Sequence, residues 1–507
     1  MTHRCYDGMM PKTNATEHHF VSSVQNIFLF HFRKENSDFE WTEELVLKFI
    51  DLYREKEVLW NTKHPKYYNK IKKNDAWLQI ANAMKKATDK CCKIRNLKSA
   101  GDILELLSRS RNLNKTDTYK NLSPLLGRNG LIIADADIWR VHRKKISPSF
   151  NKKMLENSIP IIVENTKILV EQFKNKVDQS EFGIREFLDN CSLDILCEIT
   201  TGIKLRTQES PELFYKVTDE ILHALNARIL QPWLRFDFIF RLSKYGKITR
   251  DFVKLHRNRQ KKIINERKKM LKNCEEVKLS TEGCEKMMPL LDFLLKESNF
   301  TDEEIEDDVL SIMFAGQDAP AVITTLCLYE LSRNERVQDK LLDELKNNIL
   351  NKNCEPTFDD YMNLKYLDFV IKETMRMYPP ALFVGRKIDE DVHLPSGYFL
   401  PANTSAYIFI YKLHHDEKYY PNHDEFIPER FENIDESYRY IYIPFSAGVR
   451  NCIGQIFGLI EIKILVSSVL LKYRLLPAIR TKKIRLEVGT VLHCLDTVSL
   501  RITSRKL

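Results

Sequence analysis

Residues 445–454 read Phe-Ser-Ala-Gly-Val-Arg-Asn-Cys-Ile-Gly, placing Cys452 between Gly448 and Gly454 with Arg450 two residues ahead of it. An apolar pattern follows, with Ile456, Leu459, Ile460, Ile464, Leu465 and Leu470 near a 3.6-residue period, so the loop feeds a helix. Backbone N–H groups point outward at a helix N-terminus, and the dipole there favours a thiolate over a thiol. Gly448 and Gly454 let the backbone approach a flat, bulky group, and Arg450 answers an anionic edge. A planar metal macrocycle carrying carboxylates needs this set. A lone cysteine is ordinarily an inert, buried small hydrophobe. The ten residues together argue for more.

Other side chains stand at spacings that place them side by side. Trp139 and Arg143 are four apart on a basic helix with Arg140, His142, Lys144 and Lys145, which puts them on one face. Taken alone, the pair also suits packing plus a surface charge. Glu373 and Arg376 are three apart in Lys-Glu-Thr-Met-Arg-Met-Tyr-Pro. If exposed, such a pair contributes only about a few tenths of a kcal/mol. Asp302 to about Ser332 is the longest helical pattern, opened by Thr301-Asp-Glu-Glu as an acidic N-terminus. Its centre reads Phe314-Ala-Gly-Gln-Asp-Ala-Pro320, and Pro320 frees the Gly316 carbonyl and kinks the helix. Strand-like runs are expected at 383–388, 406–410 and 488–501, and a long exposed helix and loop at 256–290.

The cysteine loop resembles the haem-ligand loop of the cytochromes P-450, whose signature positions fall on Phe445, Gly448, Arg450, Cys452 and Gly454. The resemblance is nearly continuous from about Ser99 onward. It implies a mainly α fold with small β-sheets and a haem b whose iron takes the Cys452 thiolate. It further implies propionate contacts from Trp139, Arg143, Arg386 and Arg450, and a buried Glu373–Arg376–Arg430 network. Electrons would come from NADPH through a reductase, with a cytochrome b-type donor as a second source, docking on the outer basic residues of the 139–145 helix. Leu193–Glu198 and the aromatic run 232–240 are similar to the family-4 branch, whose members often hydroxylate fatty acids and related lipids. The run 232–240 is expected either to line an apolar pocket or to pack in the core.

The chain departs from that family in its oxygen-side helix. Gly316 and Asp318 match the family's pattern, but its threonine is Ala319 here, followed by Pro320. The acid–hydroxyl pair that helps protons reach dioxygen is therefore incomplete. Thr324 and Thr325 are too far along the helix to substitute. Ala315 stands where family-4 enzymes often carry a glutamate esterified to haem, so no such link is expected.

A different pattern precedes residue 99. Thr42 caps an amphipathic helix with Leu45, Phe49 and Leu52 on one face, and a second helix runs from about Asn74 to Lys86. Residues 42–98 hold fourteen Lys and Arg against seven Asp and Glu, most of the whole chain's net charge of +9. Val58-Leu-Trp60, His64-Pro-Lys-Tyr67 and Ala76-Trp-Leu-Gln-Ile-Ala81 resemble the MADF type of Myb/SANT-like DNA-binding domain. Its third, basic helix is represented only by Lys90–Lys98, so the module is read as partial, with salt-sensitive, nonspecific attraction to nucleic acid. The domains expected are a disordered 1–38, a partial MADF-like module at 39–98 and a haem-thiolate domain at 99–507. The resemblance implies that the module replaces the family's membrane anchor, first helix and first strands.

The 507 residues, 43% of them hydrophobic, suffice for a large core, and the eleven cysteines lack paired spacing. Reduced thiols facing a cytosol are expected. No run of about 20 apolar residues is visible, so membrane contact is read as peripheral, on the cytosolic face of the endoplasmic reticulum. Cytoplasm and nucleus are the alternatives. The reading is a monooxygenase acting on an apolar, lipid- or fatty-acid-like substrate. An inactive fusion whose haem domain fails to assemble and a DNA-binding regulator acting through residues 42–98 stay open.

Overall fold

A computed structural model describes Glu55 and residues 99–506, except 109–111, 211–213, 232–233, 235–236, 278–287, 434–437, 480–483, 488–490 and positions 298, 353 and 439. The expected irregular N-terminus and the basic helical module lie outside the described residues. Leu97–Leu507 forms one compact unit. Its architecture is mainly helical with small antiparallel sheets.

The helices that carry the site are α1 (Ala100–Ser108), α2 (Ala136–Ile146), α3 (Lys152–Lys174), α4 (Arg185–Thr201), α5 (Lys244–Val277), α6 (Asp302–Arg333), α7 (Lys365–Met377) and α8 (Gln455–Lys472). Helix α6 is the axis, packed against α4, α7 and α8. Its start is a complete capping box: Glu304 N–H donates to Thr301 Oγ1 at 3.3 Å, and Thr301 N–H donates back to Glu304 Oε2 at 2.8 Å. Pro320 sits inside α6, which continues to Arg333. Helix α8 buries Ile460, Ile464, Leu465, Val469 and Leu470 in the main core cluster, which α3, α4, α6 and α7 share. Burying large aliphatic side chains of this kind stabilises by roughly 1.5–3 kcal/mol each before conformational entropy is subtracted.

The strands are short. β1 (Phe182–Gly183), β5 (Ser499–Ser504) and β4 (Tyr473–Pro477) form a three-stranded sheet in that spatial order. β2 (Phe383–Lys387) pairs with β3 (Ser405–Phe409), setting Arg386 opposite Ala406. The run expected at 488–501 is broken in the structure. Asp496 accepts from the Arg485 backbone at 2.8 Å and from its guanidinium at 2.7 Å, and the chain bends there before β5 begins. The basic helix begins earlier than expected, at Lys244, and two of its arginines turn inward. Arg267 Nε pairs with Asp292 at 2.6 Å, while Arg257 reaches Glu306 and Asp307 on α6.

Candidate functional site

The loop ahead of α8 is a tight backbone hairpin. Cys452 N–H donates to the Phe445 carbonyl at 3.0 Å, and Asn451 N–H to that of Gly448 at 3.2 Å. Gly448 has φ +74°, and a Cβ there would lie 2.0 Å from the Leu107 carbonyl oxygen. The close approach that requires this glycine is therefore to the end of α1, a contact sequence spacing did not reveal. Gly454 is different: it sits at the N-cap of α8, and a Cβ on it would meet only Phe150, at 4.0 Å.

The surface of Cys452 opens into a cavity of about 140 Å³. Helix α6 supplies the opposite wall with Ala315, Gly316, Ala319, Pro320 and Ile323; Phe457, Gly458 and Ile462 come from α8, and Phe445 from the loop. Apart from Cys452 and Ser311, every lining residue is apolar or glycine. Burial pushes the Cys452 thiol up. The Gly454 N–H and the charge of Arg143 oppose that shift without cancelling it.

Arg143 braces the loop. Its Nη1 donates to the Asn451 carbonyl at 2.9 Å and its Nη2 to Asn451 Oδ1 at 3.0 Å. Trp139 is buried, with the Arg450 guanidinium stacked 4.6 Å over its ring. Arg450 Nε donates to the Leu113 carbonyl at 3.0 Å and Nη2 to that of Ala134, while Nη1 has no acceptor. Arg386 is 1% exposed; Nη1 donates to the Gly385 carbonyl at 3.0 Å, and Nε and Nη2 have none. Burial and the charge of Arg386 push Arg450 down to about 9. Lys115, which sequence reasoning did not single out, feels both arginines, and burial with their repulsion holds its pKa well below the usual lysine range. Three cations gathered around unsatisfied buried N–H groups call for an anion. The donors fit a haem with propionates: a thiol facing an apolar cavity, and guanidinium N–H groups without acceptors to take carboxylates.

Asp318 and Ala319 part company. Ala319 lines the cysteine cavity, whereas Asp318 faces a separate, polar cavity of about 430 Å³ with Gln317, Thr325, Glu186 and Asp496. There it pairs with Arg185, which also holds Asp189 at 2.6 Å, and Asp318 Oδ2 is buried without a partner. Arg185 is 133 residues away in sequence, and no local pattern marks it. Thr325 bonds its own helix, donating to the Ala321 carbonyl at 2.7 Å, and neither it nor Thr324 lines the cysteine cavity.

Glu373, Arg376 and Arg430 meet. Glu373 accepts from Arg376 Nε at 2.8 Å and from Arg430 Nε at 2.9 Å, with both Glu373 and Arg376 fully buried. His142 is not part of the basic outer surface of α2. It is 2% exposed, and its Nδ1 lies 2.6 Å from Asp308 Oδ2 on α6. Burial opposes charge on His142, but Asp308 and then Glu304 outweigh it and raise its pKa. Arg140 and Lys144 remain exposed on that helix. Of the aromatic run at 232–240, Phe238 is exposed and Phe240 packs with Ala227 and Leu234; Trp233 lies outside the described residues. Among the described residues of this run, none lines the cysteine cavity.

Two family-wide sequence patterns match the chain: cytochrome P450 over residues 95–494, and alcohol dehydrogenase transcription factor Myb/SANT-like over residues 49–100. Cytochrome P450 4d2 of Drosophila melanogaster is 34% identical over 391 residues, covering 74% of this chain and 78% of that protein. Cytochrome P450 4d8 of the same organism is 33% identical over 414 residues, 78% of this chain and 87% of its own length. Cytochrome P450 4V2 of Homo sapiens is 32% identical over 422 residues, 81% and 80% of the two chains.

Proposed function

The chain belongs to the cytochrome P450 family, and on that premise we propose that it inserts one oxygen atom from O2 into an apolar, lipid-like substrate bound between Cys452 and α6. It is a haem-thiolate monooxygenase that takes NADPH-derived electrons through a reductase. Haem bound through a thiolate supplies an iron at which dioxygen is activated, the sulfur pushing electron density toward O–O cleavage. The observation that carries the proposal is the Cys452 thiol opening into an apolar cavity whose far wall is the Gly316–Ala319 turn.

In this reading Cys452 would supply the thiolate that holds the haem iron, and Phe445, Gly448 and Gly454 shape the loop that presents it. The unpartnered N–H groups of Arg386 and Arg450 would hold the propionates. Arg143 and Trp139 set the positions of Asn451 and Arg450, and Lys115 adds a third cation. The apolar walls exclude water and favour an apolar substrate. Asp318 turns to the polar cavity, where Arg185 pairs with one of its oxygens. Gly316 keeps α6 close to α4, since a Cβ there would come within 2.9 Å of Leu196.

Reduced protein exposed to carbon monoxide should give the red-shifted Soret band of a thiolate ligand, and Cys452→His should abolish it. A wild-type protein that takes up haem without that band would overturn the assignment.

Peripheral attachment to the endoplasmic reticulum belongs to the same proposal. Exposed Phe238 and Leu242 beside Arg241 and Lys244 support it. Among the described residues one helix, α6, is long and apolar enough to span a bilayer, and more than half of that stretch is buried in the protein. Carbonate washing should release the protein from microsomes; retention in the pellet would contradict a peripheral mode.

A further inference from the structure

His142 stands on α2 beside Arg143, with Trp139 one turn earlier, yet its ring packs on α6 and does not line the cysteine cavity. Its Nδ1 is 2.6 Å from Asp308 Oδ2, its Nε2 is 3.8 Å from Glu304 Oε1, and Phe300 stacks on it at 4.4 Å. Asp308 is fully buried, and its other oxygen is spent elsewhere: Oδ1 accepts the Leu131 N–H at 3.0 Å. One carboxylate on α6 therefore holds both α2 and the 128–134 loop. Asp307 beside it accepts the Asn129 N–H at 3.2 Å, and a Cβ on Gly130 would lie 2.8 Å from the Asp307 carbonyl oxygen, so the loop lies tight against α6. That loop serves the site twice. Leu131 and Ile132 line the cysteine cavity, and the Ala134 carbonyl accepts from Arg450 Nη2.

Resting on the haem-thiolate reading, we propose that His142 is a positioning residue. In its charged form it locks Asp308 so that α2 and the 128–134 loop are held together on α6, fixing the arginines that would take the propionates and one wall of the cavity. A buried carboxylate is tolerated when an adjacent cation and hydrogen bonds compensate it. Once His142 loses its proton, the bond is no longer charge-assisted, and the hold of Asp308 on α2 and on the Leu131 N–H weakens. Among the described residues, the charged groups facing His142 are Asp308, Glu304 and Asp307, all on α6. Arg257 of α5 lies beyond them, 3.4 Å from Asp307. On the neighbouring helix Leu290–Glu297, Asp292 is taken by Arg267 and Lys296 is exposed; on α2 itself Arg143 is turned to Asn451. The three acids raise the pKa of His142 against its burial, so the lock is closed below the ordinary value of 6.5 and opens as pH climbs through the raised one.

The test follows transfer of haem from the full-length, haem-loaded protein to apomyoglobin between about pH 6 and about pH 9, in wild type and in His142→Gln, which keeps a neutral donor. The variant should lose haem about tenfold faster at the acid end, the lower range for one charge-assisted hydrogen bond, and the two rates should converge at the alkaline end. A ratio of rates that is constant, or that grows with pH, would overturn the proposal. Hydrogen exchange supplies a readout independent of turnover. At about pH 6.5 the peptide carrying Leu131 should exchange several-fold faster in His142→Gln, with the β2–β3 pair unchanged; equal acceleration in both would mean general destabilisation and would sink the lock. Wild type alone gives a further reading: protection of the Leu131 peptide, corrected for intrinsic exchange, should fall as pH rises, and constant protection would refute the role. The carbon monoxide band separates the two levels of failure. Its presence with a constant ratio removes the role of His142 alone, and its absence removes the haem reading and this proposal together.

Discussion

Ala319 concentrates the chemistry of the oxygen side into one missing hydroxyl. It faces the cysteine cavity, while the neighbouring carboxylate of Asp318 faces the polar one. General acid catalysis needs a donor within hydrogen-bond reach of the group it protonates, and no side chain at 319 bridges the two cavities. NADPH consumption should therefore be poorly coupled, with hydrogen peroxide as the main product. Ala319→Thr combined with Pro320→Thr restores both hydroxyl and backbone N–H, and product formed per NADPH oxidised should rise several-fold. Equal coupling in parent and double variant, with a substrate that shifts the spin state, would mean that Asp318 and water suffice. A second residue-scale effect sits in α8. Glu461 is fully buried with Ser192 Oγ donating to it at 2.6 Å, and burial pushes its carboxyl up to about 8. The native state keeps this proton while the unfolded chain, with an ordinary value of 4.5, sheds it. Stability should thus fall as pH rises from about 4.5 to about 8 and then level off, a contribution of roughly 3–5 kcal/mol. Glu461→Gln keeps the Ser192 bond and removes the titration, so its thermal midpoint should exceed wild type increasingly up to pH 8. A constant difference across that range would refute the assignment.

At the scale of elements, α7 is tied to the segment that leads to the cysteine loop by side chains rather than by sheet pairing. Arg376 Nη1 donates to the His414 carbonyl at 3.0 Å and Nη2 to that of His423 at 2.8 Å. Glu373 Oε1 also accepts the Ile427 N–H at 3.0 Å. Every strong donor of Arg376 is used inside the protein, so its charge is tolerated only because Glu373 lies beside it. Removing that carboxylate by Glu373→Gln leaves Arg376 buried and under-compensated, at a cost of about 3–5 kcal/mol. Net stability of folded domains is on the order of 5–15 kcal/mol, so a severe fall in the thermal midpoint and in haem retention should follow. A midpoint within about 2 °C of wild type, corresponding to a loss below about 1 kcal/mol, would show that the network is dispensable.

For the whole molecule, the distribution of charge and the two family matches separate a basic N-terminal piece from the oxygenase. The Myb/SANT-like match ends at residue 100 and the cytochrome P450 match begins at 95. We propose that the lysines and arginines of 42–98 supply phosphate attraction without base readout. The full-length chain should bind duplex DNA weakly, with affinity falling steeply and linearly in log salt. A footprint at one sequence that persists at physiological salt would establish a specific DNA-binding role instead.

The cysteine loop, the capped α6 and the apolar face of α8 were legible along the chain because each is a local pattern. A turn needs its glycine, a cap its threonine and glutamate, and a buried helix face its 3.6-residue period. Glu373 and Arg376 were legible as a pair for the same reason, while the burial that makes the pair matter was not. Tertiary structure alone decided the partners separated by long stretches of chain. It set Leu107 against Gly448, Arg185 on Asp318, Asp308 under His142, and Lys115 beside Arg386 and Arg450. Desolvation and Coulomb repulsion depend on what the fold brings within a few ångströms, and no spacing within the sequence encodes that distance.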